Sequence, residues 1–490
     1  MSTILKYFPY ETPREVQAEL LQTLESIWDD YDVFVVTLPT SAGKTAISKT
    51  IMDWARGDAV TILPTNMLID QYLREFPDTA TLARLDSYEC SELEKTSCAS
   101  VRGKRGRFCR GCPASADLQQ AKYKKRSTVV NYYTYLSQKL YRKVLVVDEA
   151  HALIPTMRGF DTKILWKHDA EYAHNMYSLD QVKFWLSRLS DKKKKLKKIQ
   201  QLVDIIYSEP PTHVVERGVE WFNGKGTLRG EPEQRDCLKY YPLEPSPGTK
   251  NLFFPKETEK IVLMSATISK VDIEELGLGK RRVVYLNAAS PIPRGSRPIV
   301  PVNLGNVNRN NMDASIKQIA YFIEHVLLPR HEGEKGLIHV TYQMANLLRP
   351  LLEHHPRIMF HDKYNKTKQY ELFRQAPAST GRALIACGMY EGVDLPNDLG
   401  RWQLVAKIPW PSLGNPAIAY KSQVNQEWYV WETLKAVIQA CGRICRTPTD
   451  FGVTYITDTS FSRLLKQGEH IAPTWWTEAI TATEEVTSDE

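Results

Sequence analysis

Short runs of apolar, largely β-branched residues recur along the chain at 33–38, 60–63, 128–130 and 144–147, each bounded by turn residues or followed by helix-compatible sequence. Runs that are apolar throughout, rather than alternating, are the pattern of strands covered on both faces of a parallel sheet. The run 260–264 belongs with them, and a second set at 336–341, 357–360, 383–386, 404–408 and 453–457 repeats the pattern nearer the C-terminus. Two α/β domains are predicted. The rhythm breaks twice. Across 86–126 the chain turns polar, glycine-bearing and basic, and across 155–248 charged, helix-favouring sequence takes over, including the lysine-rich run 191–198 and a closing proline-rich loop, 231–247. These stretches read as two insertions, the second mostly helical.

Composition narrows the class. A chain of 490 residues exceeds what one hydrophobic core supports, and 42% hydrophobic with 25% charged residues describes a folded protein, not a disordered one or a single small module. Lys and Arg total 64 against 57 Asp and Glu, a net charge of +7. The stretch 477–490 contributes Glu478, Glu484, Glu485, Asp489 and Glu490 without a base, so the rest of the chain is more basic than the total and favours a polyanionic partner. No run of about 18 apolar residues occurs, so no membrane span is expected. An intracellular monomer, cytoplasmic or nucleoid-associated, is expected, with the acidic tail as the place for a protein partner.

The strand at 33–37 leads into Leu38-Pro-Thr-Ser-Ala-Gly-Lys-Thr45 and then a helix-compatible segment. A loop between a strand and a helix N-terminus aims backbone N–H groups at one point, where phosphate oxygens bind best. Thr40, Ser41 and Ala42 line such a loop, Gly43 permits close approach of the backbone, Lys44 reaches the β- and γ-phosphates, and Thr45 ligates Mg²⁺. Position 38 is leucine where the strict pattern has glycine. The partner acid is Asp148, which ends the strand run 144–147 and suits magnesium, and Glu149 beside it suits activation of water.

At this point the sequence resembles a superfamily 2 nucleic-acid helicase. Residues 39–45 and Asp148-Glu-Ala-His151 match that superfamily's first two motifs, and further matches fall in order at 260–267, 389–395 (with Asp394) and Gln439-Ala-Cys-Gly-Arg-Ile-Cys-Arg446. Upstream, Pro13-Arg14-Glu-Val-Gln17 resembles the element that contacts adenine. More narrowly, the chain is similar to the iron–sulfur helicases of the XPD/DinG family. Four features carry this: cysteines between the phosphate loop and Asp148, Val129-Val-Asn-Tyr132 after them, a large insertion before 265–267, and Ile408-Pro-Trp-Pro411. The resemblance implies two RecA-like P-loop motor domains, ATP-driven 5′ to 3′ translocation on single-stranded DNA, and unwinding of forked duplex DNA. Gln439, Arg443 and Arg446 are expected on one helix face, with the arginines reaching the γ-phosphate across the interdomain cleft.

Cys90, Cys98, Cys109 and Cys112 are separated by seven, ten and two residues. That spacing suits either a tetrahedral Zn²⁺ or a cubane cluster; the resemblance favours [4Fe–4S]. Arg102, Lys104, Arg105, Arg107 and Arg110 interleave with these thiols, and Phe108 and Tyr123 lie close by, a composition suited to gripping single-stranded DNA. The expected division is motor domain 1 in three parts (1–85, 127–154, 251–288), an iron–sulfur domain (86–126), a helical arch (155–250), motor domain 2 (289–476) and an acidic tail (477–490). The rival readings are an RNA or RNA–DNA hybrid helicase and an ATP-gated, zinc-containing nucleic-acid-binding protein.

Overall fold

The computed structural model describes residues 3–39, 42–83, 87–90, 97–98, 112–122, 126–170, 178–222, 233–308, 310–362, 364–389 and 393–484. Among them no helix is long and apolar enough to cross a membrane. The strands run β1 (Val33–Thr37), β2 (Ala59–Leu63), β3 (Ala80–Thr81), β4 (Thr128–Asn131), β5 (Val144–Asp148), β6 (Lys163–Trp166), β7 (His213–Phe222), β8 (Glu233–Pro242), β9 (Lys260–Ser265) and β10 (Val283–Asn287). Seven of these form a wholly parallel sheet in the order β10-β1-β9-β5-β2-β4-β3. Along β1 the side chains alternate between two cores: Val33 and Val35 pack with Val60, Leu145 and Leu263, while Phe34 and Val36 pack with Leu63, Val146 and Met264. Both faces are therefore covered, which is why the sequence runs are uninterrupted.

A second parallel sheet is built from β11 (Ile299–Pro301), β12 (Gly336–Val340), β13 (Ile358–Met359), β14 (Ala383–Cys387), β15 (Trp402–Val405) and β16 (Val453–Ile456), ordered β11-β16-β15-β12-β14-β13. The fold is thus α/β with two RecA-like domains.

The arch insertion corrects part of the sequence reading. Its helices Leu179–Ser187 and Lys197–Ile206 pack Val182, Leu186, Ile199 and Leu202 onto Leu165, Leu238 and Tyr240 of a three-stranded antiparallel sheet, β6-β8-β7. The expected proline-rich loop at 231–247 is largely strand β8. β7, HVVERGVEWF, is mostly half-buried or exposed and carries Glu216, Arg217 and Glu220, so it lacks the continuous apolar run that marks the parallel strands. Over its described part the acidic tail lies against the second domain. Ile480 bridges to Ile299 and Glu484 to Val302, while Glu478 pairs with Arg297 and Glu484 with Arg330, so two arginines draw the acids onto the edge of the second sheet.

The two halves meet through buried charge. Asp272, in the helix Lys270–Glu275 after β9, accepts from Trp431 Nε1 (2.7 Å) and Lys435 Nζ (3.1 Å) of the helix Gln426–Cys441. Lys421 Nζ lies 3.6 Å from Glu275 and 3.2 Å from Glu244 at the end of the arch, and Arg158 also pairs with Glu275.

Within the second sheet, Gly336 opens β12 against the buried indole of Trp402, where any Cβ would overlap ring atoms. Gly336→Ala should therefore cost about 1–3 kcal/mol of stability by overpacking, seen as a lower urea midpoint with an unchanged slope.

Candidate functional site

In the first sheet β9 lies between β1 and β5, which sets the carboxyl ends of all three side by side. Ligands bind open α/β sheets in the crevice outside such strand ends. The loop after β1 turns into the helix Lys44–Trp54 at Gly43, whose φ of +76° is left-handed. A Cβ there would also run into the Gln17 side chain. Gln17 is a brace for this loop: its Nε2 donates to the carbonyls of Ala42 (3.0 Å) and Gly43 (3.3 Å), and its Oε1 accepts from the Arg14 backbone N–H (3.0 Å). Thr40 and Ser41 lie outside the described residues.

Lys44 is only 7% exposed, and its ammonium sits 2.5 Å from Glu149 Oε1 and 4.0 Å from Asp148 Oδ1. Burial opposes its charge, but the two carboxylates outweigh burial and hold its pKa above the ordinary value. The carboxylates respond unequally. Burial pushes Asp148 up to about 6 in spite of Lys44, whereas in Glu149 burial is outweighed by Lys44 and His151, which hold it below the usual range. Glu149 takes a left-handed backbone, φ +50°, unusual for a residue with a Cβ, and its N–H donates to Asp148 Oδ1 (2.8 Å). His151 Nδ1 lies 3.3 Å from Glu149 Oε2 and 3.0 Å from the Ser265 hydroxyl at the end of β9, and that hydroxyl also accepts from the Thr267 N–H.

The second domain faces the same space. A cavity of about 570 Å³ is lined by Arg14, Gln17, Gly43, Lys44, Thr45, Asp148 and Glu149 from the first half and by Asp394 and Arg446 from the second. Arg446 pairs with Asp394, and its Nη1 donates to the Gly442 carbonyl (2.9 Å). The expected common helix face for Gln439, Arg443 and Arg446 is not formed. The helix ends at Cys441 with Gly442 as its cap, and both arginines follow in a turn where Cys445 has φ +58°. Arg443 donates to the carbonyls of Gln439 (2.7 Å) and Val393 (3.0 Å), and neither Gln439 nor Arg443 is among the described residues lining the cavity.

Sequence reasoning missed several contributors. Phe8, Tyr10 and Thr12 line the cavity ahead of Arg14, and Tyr10 bonds Glu75 across it; an aromatic pair just before the Arg14-to-Gln17 element was the available signal. Tyr132, which closes the Val129-to-Tyr132 element, has a contact that the sequence did not indicate. It is 1% exposed, and its hydroxyl reaches the carbonyls of Asp148 (3.0 Å) and Glu149 (3.2 Å), supporting the strained backbone from behind.

Of the clustered thiols, Cys109 lies outside the described residues. Cys90 and Cys98 flank a short antiparallel bridge, Glu89 to Ser97, with the Cys98 N–H donating to Tyr88 O (2.8 Å). The Tyr88 hydroxyl donates to Asp117 (2.7 Å) in the helix that begins directly after Cys112. Among the described residues no group of three or more His, Cys, Asp or Glu side chains is arranged to hold a metal ion. The donor set is nonetheless all thiol, the chemistry that iron–sulfur clusters and structural zinc select.

Comparison with known proteins gives two family matches: the helicase C-terminal domain over residues 337–479, and the type III restriction enzyme res subunit over residues 11–179. The human regulator of telomere elongation helicase 1 is 30% identical over 106 residues, 18% of this chain and 9% of that protein. Its Drosophila melanogaster homolog is 26% identical over 115 residues, 20% of this chain and 12% of that protein. The matched segments thus span about a tenth of these relatives' length. Among solved structures, S. tokodaii Xpd4 superposes with a TM-score of 0.60 at 14% identity, covering 97% of this chain and 100% of that one. An XPD helicase superposes at 0.63 with the same identity and coverage. At that identity the superpositions speak for the fold.

Removing the hydroxyl in Tyr132→Phe leaves the buried carbonyls of Asp148 and Glu149 without this donor. A loss of about 1–3 kcal/mol in unfolding free energy is expected, measured by urea titration, with unchanged near-UV dichroism.

Proposed function

We propose that this chain is an XPD/DinG-like superfamily 2 helicase, a reading supported by the two helicase-type family matches and the shared fold, and that it is an ATP-dependent DNA helicase that moves 5′ to 3′ along single-stranded DNA and opens forked duplexes. The observation that carries this reading is the single cavity in which Lys44, Thr45, Asp148 and Glu149 of one domain meet Arg446 of the other. A nucleotide held there is in contact with both halves, so hydrolysis and relative movement are coupled.

Each residue has a role that its position suits. Backbone N–H groups of the loop through Gly43 and the ammonium of Lys44 bind the phosphates. Lys44 is shared: its ammonium, now on Glu149, turns to phosphate when nucleotide enters, which frees the Glu149 carboxylate. Glu149 then orients a water and accepts its proton as the oxygen attacks the γ-phosphorus and the bond to the β,γ-bridging oxygen breaks, leaving ADP and phosphate. Thr45 and Asp148 would hold Mg²⁺, which neutralises phosphate charge. Arg446 stabilises negative charge on the transferred group from the far side. Gln439 and Arg443, which do not line the cavity in this arrangement, enter the site only as the cleft closes. Arg14 and Gln17 border the base. Cys90, Cys98, Cys109 and Cys112 would hold a [4Fe–4S] cluster, whose role would be structural, in a basic stretch of sequence suited to DNA.

Three measurements test the parts. Lys44→Ala should abolish DNA-stimulated ATP hydrolysis while DNA binding and dichroism stay near wild type; retained turnover would overturn the site. Strand displacement should occur on duplexes with a 5′ tail, and unwinding solely from a 3′ tail, or stimulation by RNA alone, would overturn the direction or the substrate. Protein purified without oxygen should be brown with broad absorption near about 400 nm, lost in Cys112→Ser, whereas a colourless protein with one zinc would replace the cluster assignment.

A further inference from the structure

Tyr364 is 99% exposed, the most exposed of the large apolar side chains among the described residues. Several other exposed aromatics rest on a ring or a cation. Tyr133 lies against Phe160 (4.8 Å between ring centres), Phe184 under Arg188, Tyr207 under Lys183 and Phe451 under Arg401. Tyr364 has no such ring or cation neighbour among the described residues. It stands in the turn between β13 and the helix Lys366–Gln375, at the carboxyl edge of the second sheet.

Exposure alone is ordinary for a surface side chain, but here the backbone beneath the ring is fixed. Asp362 Oδ1 accepts from the N–H groups of Tyr364 (2.7 Å) and Asn365 (2.9 Å), its Oδ2 accepts from Asn365 Nδ2 (2.8 Å), and Asn365 Oδ1 accepts in return from the Asp362 N–H (2.9 Å). A reciprocal box of four hydrogen bonds thus presents the phenol ring outward. The sequence around it, His361-Asp-Lys-Tyr-Asn-Lys-Thr-Lys368, places three lysines within four residues of the tyrosine. An outward-facing aromatic in a lysine-rich stretch of sequence is the combination that takes a nucleobase on the ring and phosphate nearby.

The turn is also bonded to the segment that enters the nucleotide cavity. Lys366 Nζ donates to the Gly388 carbonyl (2.8 Å), and the Cys387 N–H donates to His361 Nε2 (3.0 Å). One helical turn on, the Tyr370 hydroxyl contacts the Asp394 N–H (3.2 Å) and carbonyl (3.3 Å), and Asp394 carries Arg446. We infer that Tyr364 is a base-stacking platform for the single strand, placed so that the strand's occupancy is felt through Asp394 at Arg446. This rests on the reading of the chain as a nucleic-acid motor.

The test uses the full-length protein titrated with labelled oligo(dT) and with an abasic deoxyribose-phosphate strand of equal length. Tyr364→Ala should weaken oligo(dT) binding by about 5- to 150-fold, the range for one stacked base, while Tyr364→Phe binds as wild type. On the abasic strand, Tyr364→Ala and wild type should bind alike. Equal oligo(dT) binding by wild type and Tyr364→Ala, or an equal loss on both strands, would overturn the platform while leaving the motor reading intact. If the wild-type chain binds neither strand, both fall.

Discussion

A lysine ammonium buried to 7% exposure must find counter-charge, and around Lys44 much of the first domain is arranged to supply it. The carboxylates come from a different strand, β5, and reach Lys44 because β9 separates β1 from β5 by one strand width. Glu149 reaches it only from a left-handed backbone, a cost of order 1–3 kcal/mol that neighbouring contacts offset. Tyr132 supports the carbonyls behind that kink, and His151 ties the Glu149 carboxylate to Ser265 on the intervening strand. The same triad explains the split in acidity. One carboxylate, in closest contact with the ammonium, stays readily ionised; the other, 4.0 Å away and more deeply buried, is left with a raised pKa. A polyphosphate that displaces Glu149 from Lys44 therefore alters every contact in the group.

The join between domains follows a different rule. Asp272, Lys435, Glu275, Lys421 and Arg158 form a set of buried or nearly buried ion pairs, with Val271 inserted among the apolar residues around Trp431 and Leu434. Buried pairs add little net stability over apolar packing, but they define geometry, since each charge is strongly penalised if left alone. Lys421 is the pivot, because Glu275 belongs to the first domain and Glu244 to the end of the arch. Movement between the domains must keep these charges partnered or admit water to them.

Legibility in the sequence tracked burial. Strands covered on both faces, such as β1, β2 and β5, announce themselves as continuous apolar runs, and the loops at their ends carry the phosphate and acid motifs. Strands β7 and β8 are only partly buried and their apolar residues are broken by charges such as Glu216, Arg217, Arg235 and Asp236, so they lack the continuous apolar signature and pass for helix-forming sequence. β3 and β11, two and three residues long, offer no pattern at all. Leucine at position 38, a departure from the strict phosphate-loop pattern, has a structural reason: its side chain is fully buried in the core under the loop and its N–H donates to Ser265 O (2.9 Å). What the sequence could not disclose was the end of the helix at Cys441. Gly442 is a weak stop signal inside a motif read as one helix, and the arginines beyond it point in directions that only the turn determines.

That turn separates two arginines that a continuous helix would have made near-equivalents. Arg443 is committed to backbone carbonyls at 393 and 439, so its place is set by the second domain's own fold. Arg446 keeps one carbonyl bond, to Gly442, and otherwise pairs with Asp394, whose side chain is 61% exposed. A pair with so exposed a carboxylate is screened by water and easily exchanged. Turning Arg446 from Asp394 toward a phosphate inside the cavity trades that screened partner for a less screened one, and the Asp394 released by the exchange is still held through its backbone by Tyr370. Arg446 can thus change partners without disturbing the sheet of the second domain. In the first domain Lys44 shares its two carboxylates with a larger set of contacts, so its change of partner also reaches Asp148, Glu149 and His151.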